Sequence, residues 1–148
     1  LLSFNKNVDE EEKKRRIAAF YTPYHSALKR TLAERMAFAP PPILVAIHSF
    51  TPHCVESDRS MDIGVLYDQH EEPAQALMRA LRARGFRIGD NAPYSGKAGM
   101  MFSIDQHGGK WGLVGLELEI RQDHIDAPMK AKAMGERLAE GLREAFLS

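Results

Sequence analysis

The sequence predicts an α/β fold with a mixed, mostly parallel sheet carrying helices on both faces. Three observations lead there. The run Ile43-Leu44-Val45-Ala46-Ile47 is apolar, free of charge and rich in β-branching, and it is bounded by Pro40–Pro42 before and Ser49–Pro52 after. Such a run reads as a strand buried on both faces. Helical periodicities then alternate with short strand patterns along the rest of the chain, which is the signature of a sheet covered by helices. No segment repeats and none is low in complexity, so the 148 residues are read as one domain, 1–148.

The elements follow in order. Asp9 with Glu12 forms a capping-box pattern that opens a helix through Phe20. Residues 9–12 are acidic and 13–16 basic, an order that matches the helix dipole. Thr22-Pro23 reads as the start of a second helix, with Leu28, Leu32 and Met36 in one apolar stripe. The three prolines at 40–42 end helical structure ahead of the strand at 43–49. A polar loop, His53 to Ser60, leads to a second strand at Ile63–Tyr67. Pro73 opens a helix with Ala76, Leu77, Ala80 and Leu81 inward, and Gly85 closes it. Phe86–Ile88 is a short strand, and Gly89–Gly99 a loop of turn-forming residues. Met100–Ile104 and Leu113–Ile120 read as further strands. Asp126 is the expected cap of a last helix, with Met134, Leu138, Leu142 and Phe146 inward.

Composition narrows the function. Lys+Arg and Asp+Glu number 20 each, so no bulk charge favours nucleic acid or an anionic membrane as partner. No apolar run approaches the length of a membrane span. A single cysteine, Cys54, excludes an internal disulfide and a thiolate-rich metal site. The expected setting is cytoplasmic.

Two places point to chemistry. His48 stands at the carboxyl end of the first strand, where open α/β sheets bind ligands, although a histidine leaving a core often does no more than hydrogen-bond locally. In the strand ending at Arg121, period-two alternation sends Val114, Leu116, Leu118 and Ile120 to one face and Glu117, Glu119 and Arg121 to the other. Three ionisable groups on one face of an inner strand are costly unless paired or solvated in a cleft. On an edge strand the same pattern would be a wet face with weak ion pairs. The other histidines (His25, His53, His70, His107 and His124) lack ligand spacing.

Four motifs occur in a telling order: IHSFTP at 47–52, DIGVLYD at 62–68, GDNAPYSG at 89–96 and ELEIRQDHI at 117–125. With the helical segment NKNVDEEEKKRRIAAFYTPYHSAL at 5–28, they resemble the C-terminal part of the N-formylglutamate amidohydrolase family over nearly the whole chain. HSFTP and EIRQD are specific as a spaced pair; GVLYD and the PYH segment are weaker.

The resemblance implies a zinc-peptidase- or phosphorylase-hydrolase-like fold and a Zn2+ cofactor. It places His48 as a metal ligand, Glu119 as the catalytic glutamate and Arg121 as its adjoining basic residue. Hydrolytic zinc sites use three protein ligands and an open position for water, with a carboxylate nearby to take the proton. Arg121 then serves either the oxyanion or a substrate carboxylate. The resemblance further implies Asn91, Tyr94 and Ser95 as a substrate loop, and His107 and Arg59 as substrate contacts. Asn91–Ser95 read equally as a turn-rich connector, and His107 as a surface histidine. Ser60-Met61 replaces the family's usual Pro-Trp after the arginine, which bears on pocket shape. The remaining ligands are expected upstream of Leu1, making this chain the C-terminal part of a longer domain. The implied substrate is a small-molecule N-acyl amino acid, N-formyl-L-glutamate, cleaved to formate and glutamate in histidine degradation. The alternatives are a catalytically silent binding domain of the same fold and a hydrolase of another small N-acylated or peptide-like substrate.

Overall fold

The computed structural model describes residues 6–54 and 59–147, which gather into two compact units, Leu1–Pro42 and Ile43–Ser148. Of the expected loop from His53 to Ser60, residues 55–58 lie outside the described residues.

The first unit is helical. Asp9 caps α1 (Glu10–Arg16), its carboxylate accepting the backbone N–H of Glu12 at 2.8 Å. Glu12 gives its side chain to Arg15 and Arg16 instead of closing the box. Thr22-Pro23 does not begin a new helix. A π turn, Ile17–Tyr21, carries α1 directly into α2 (Thr22–Met36), with the Thr22 N–H bonded to the Ile17 carbonyl. Proline has no N–H for the carbonyl four residues back, and a wider turn just before it absorbs the mismatch without ending the helix. Leu32 is buried, and Leu28 and Met36 are half-buried, as the stripe predicted.

The second unit holds a four-stranded sheet in the order β1-β4-β2-β3: β1 (Leu44–Phe50), β2 (Ile63–Leu66), β3 (Ile88–Asp90) and β4 (Gly115–Arg121). β1 and β4 run parallel, as do β2 and β3, while β2 and β4 are antiparallel. The sheet is therefore mixed and mostly parallel. Two helices, α3 (Glu71–Ala83) and α5 (Pro128–Phe146), cover one face. There Ile63, Val65, Leu116, Leu118 and Ile120 meet Leu77, Met78, Leu81, Met134 and Leu138, with Leu142 and Phe146 partly buried against them. Each such side chain contributes roughly 1.5–3 kcal/mol when fully buried, so these apolar stripes hold both helices down. The short α4 (Phe102–His107) covers the other face, where Met101 and Ile104 pack with Leu66, Leu44, Ala46 and Tyr94. The Ile104 side chain occupies the space a Cβ on Gly115 would need, which seats α4 on β4.

Four expectations change. β1 is not buried on both faces: it is the edge of the sheet among the described residues, and Ile47 is 59% exposed beyond the reach of α3, which packs on β2 and β3. Met100–Ile104 is not a strand, because Met101 and Ile104, three apart, share one face of the α4 turn. Asp126 does not cap α5. Ala127 is the extended residue before it and Pro128 opens it, while Asp126 pairs with Lys130 at 2.8 Å. The third strand is Ile88–Asp90 rather than Phe86–Ile88, since Phe86 turns into the core.

Candidate active site

Parallel pairing of β1 with β4 sets the site. Its register places His48 beside Glu119 and Ala46 beside Glu117, so the three polar side chains share the α4 face of the sheet. Each offers a donor atom, and all three atoms lie within 4.8 Å of one another. His48 Nε2 stands 3.8 Å from Glu117 Oε2. The imidazole is exposed, whereas Glu117 and Glu119 are only 4% and 6% exposed.

Burial pushes both carboxyls above the usual glutamate range. For Glu117 the His48 ring opposes this and Asp105 of α4 adds to it. For Glu119, His48 and Arg59 oppose it and the Glu117 charge adds to it. Glu119 Oε2 is buried with no hydrogen-bond partner among the described residues. Two buried acids with a bare oxygen and one imidazole make a donor set that a divalent cation fits. The triad can hold a metal ion.

Loops close over this face. Gly64 of β2 pairs with Glu119, and a Cβ there would strike the Ala92 carbonyl, so glycine lets the 91–96 loop lie on the sheet. Asn91, in the left-handed region at φ 48°, folds that loop back. Its side-chain oxygen accepts the N–H groups of Tyr67 (3.1 Å) and Gly96 (3.0 Å), so this atom holds the loop together. Tyr94 accepts a hydrogen bond from Arg59 Nη2 at 3.2 Å. The Arg59 guanidinium also lies over the Tyr94 and Phe50 rings, 5.5 and 5.7 Å from their centroids, and donates to the Thr51 carbonyl. Arg59 is thereby fixed close enough to Glu119 for its charge to act there. Ser95 is half-buried in the same loop. His107 is buried in the last turn of α4 and stands outside the triad.

Arg121 faces a different set of partners. Nη1 donates to the carbonyls of Arg59 (3.3 Å), Ser60 (3.0 Å) and Met61 (3.0 Å). Nε and Nη2 reach Asp123, and Nη2 lies 3.6 Å from Asp62. Asp62 is the hub of this second cluster. It accepts from Arg87 Nη2 at 2.7 Å and the Arg87 N–H at 2.9 Å, and its Oδ1 lies 2.9 Å from His124 Nε2. Burial pushes the Asp62 carboxyl up, but the hydrogen bonds from Arg87 and His124 together hold it well below the usual range.

Sequence reasoning singled out His48, Glu119, Arg59 and Tyr94, and the structure gathers them on one face. It gave no part to Asp62, Gly64 or Asp105. DIGVLYD contains the first two, but their use depends on β2 lying antiparallel to β4, which local pattern does not encode.

Comparison with known proteins bears on the fold and the family. No curated protein sequence matches the chain. Among solved structures, gene product Atu2144 from Agrobacterium tumefaciens superposes with a TM-score of 0.74 at 28% identity, over 93% of this chain and 56% of that one. N-formylglutamate amidohydrolase from Ralstonia eutropha JMP134 superposes with a TM-score of 0.68 at 21% identity, over 91% of this chain and 53% of that one, and shares the fold. The chain thus spans about half the length of these two structures. No helix among the described residues is long and apolar enough to cross a membrane. The family model for N-formylglutamate amidohydrolase matches residues 3–125, which takes in β1, β4 and the whole triad, and the chain belongs to the N-formylglutamate amidohydrolase family.

Proposed function

We propose that this chain carries the catalytic face of a zinc-dependent amidohydrolase that cleaves the amide bond of an N-acyl amino acid, N-formyl-L-glutamate first among them. The observation that supports it most is the β1–β4 register, which sets an imidazole beside a buried carboxylate with a bare oxygen. In this reading His48 would hold the cation, which when bound would supply polarisation of the acyl carbonyl and acidification of water.

The chain's own residues supply the rest. Glu119 accepts the proton of the attacking water and returns it to the leaving nitrogen. Its raised affinity for a proton brings it toward the operating range of a general base that must later act as an acid. Arg59, fixed by Tyr94, Phe50 and Thr51, presents its charge to the developing oxyanion or to a substrate carboxylate. We assign Arg121 to positioning: its donors hold the carbonyls of residues 59–61 and so set the segment from which Arg59 projects. Tyr94, Asn91, Ser95 and His107 complete or shape the substrate side. A cytoplasmic place in histidine degradation belongs to the same reading.

The test is formate release from N-formyl-L-glutamate by zinc-loaded protein, with an uncharged N-formyl amide alongside. Release that favours the acidic substrate and falls most for it in Arg59→Ala supports the reading. Folded, zinc-loaded protein that releases nothing from either compound, nor an amine from other N-acyl amino acids, would leave a binding domain of this fold.

A further inference from the structure

We infer that Glu117 is a direct cation ligand, paired with His48, in a site whose second carboxylate is Glu119. This deepens the reading above, since neither the motif resemblance nor the catalytic roles assigned there give Glu117 any part.

Distance is the first support. Zinc bonds to histidine nitrogen and carboxylate oxygen at about 2.1 Å, so two ligands of one ion stand no more than about 4.2 Å apart. His48 Nε2 and Glu117 Oε2 are 3.8 Å apart. That is too long for a hydrogen bond and short enough for one ion to bridge.

Charge is the second. Glu117 sits two residues from Glu119 on the same face of an inner strand, and Asp105 acts on it from α4. Facing these acids are the His48 ring and, near Glu119, Arg59. Asp62 shows how the same sheet treats a buried acid meant to stay as it is: hydrogen bonds from Arg87 and His124 meet its oxygens. Glu119 Oε2 instead is buried and bare, in the same cluster of donor atoms. An uncompensated buried carboxylate pair is costly, and a divalent cation between them removes that cost.

Chemistry is the third. One imidazole and one or two carboxylates suit a borderline or hard divalent ion, zinc or manganese, and Cys54 is not in the cluster. With His48 and Glu117 as the ligands, Glu119 remains free beside them to exchange protons.

Isothermal titration of zinc chloride into the metal-free full chain reads this directly. The wild type should take up one zinc per chain. Glu117→Gln, which keeps the shape and removes the charge, should bind at least tenfold more weakly with an unchanged circular dichroism spectrum. Unaltered zinc affinity in Glu117→Gln, or no zinc uptake by the wild type, overturns the inference. A zinc anomalous map of soaked wild-type crystals needs no variant: an ion bonded to Glu117 is expected, and an ion bonded to His48 without Glu117 overturns the assignment. Neither measurement uses substrate. Glu117-dependent zinc binding in a protein that hydrolyses no N-acyl amino acid would keep this inference and remove the catalytic one; hydrolysis with Glu117-independent zinc would do the reverse.

Discussion

Asp62 and the Glu117/Glu119 pair meet the same strand, and all three are buried, yet the protein treats them in opposite ways. Asp62 is surrounded by donors and held as a carboxylate well below its ordinary range. The two glutamates are pushed up by burial, to which Asp105 adds at Glu117 and the Glu117 charge adds at Glu119. Burial raises all three, so burial does not decide the outcome; the donors within reach do. The first cluster spends its polar groups on fixing the 59–62 segment. The second leaves them available, which is what a site for a ligand requires.

The largest effect that tests this contrast is on catalysis. With N-formyl-L-glutamate established as substrate, Glu119→Gln should lower kcat by about two to four orders of magnitude, because the amide cannot take a proton. Steady-state kinetics on zinc-loaded protein reads it, and near-wild-type turnover removes Glu119 as the base.

Next comes stability. Asp62→Asn should destabilise the fold by about 3 kcal/mol in urea denaturation, the scale expected when one partner of a buried, hydrogen-bonded charge cluster is lost. Glu117→Gln in metal-free protein should be neutral or stabilising. Equal losses from both would erase the distinction between the clusters.

The pH dependence should divide in the same way. Asp62 has a folded pKa below its unfolded value, so its contribution is present above about 3.8, the ordinary aspartate value, and is lost as pH falls below it. The glutamates have raised folded values, so their contribution is fully present below about 4.5 and is lost as pH rises through those raised values. Asp62→Asn should therefore flatten the acid side of a stability–pH curve, and a Glu117→Gln/Glu119→Gln double variant the neutral side. A double variant that retains the loss on the neutral side would place the titrating groups elsewhere.

A finer comparison lies inside the Asp62 cluster. The Arg87 side chain is 61% exposed and that of Arg121 12% exposed. Arg87→Ala should cost at most about 1 kcal/mol, as solvent-screened pairs do, while Arg121→Ala costs more because three backbone carbonyls lose their donor. Chemical denaturation of the two variants side by side measures the order.

Much of this is legible in the sequence. The apolar run ahead of His48 marks the strand, although β1 continues past the histidine to Phe50, and period-two alternation puts Glu117, Glu119 and Arg121 on one face. Those are local signals. What the residues do there is not local. Arg121 binds backbone carbonyls, which look alike in every sequence, and Asp62 is defined by partners from just before β3 (Arg87) and from beyond β4 (His124). The edge position of β1 depends on strand order, and so His48 is exposed where the apolar run implied a covered strand. The α4 turn is not legible, because five residues with two buried positions do not distinguish a period of two from one near three and a half.

The parallel pairing of β1 with β4 has a kinetic consequence. His48 and Glu119 are neighbours in the sheet but about seventy residues apart in sequence, and among the described residues β4 is the only strand that pairs with β1. Every local unit between them (β2, α3, β3 and α4) closes within a shorter stretch of chain. Long-range parallel contacts are slow to form, since a large loop must be closed before any bond is gained. Contact order therefore predicts that the histidine and the glutamate meet after the local β2–α3–β3 unit has formed, an order that φ-value analysis of β1 and β3 would read.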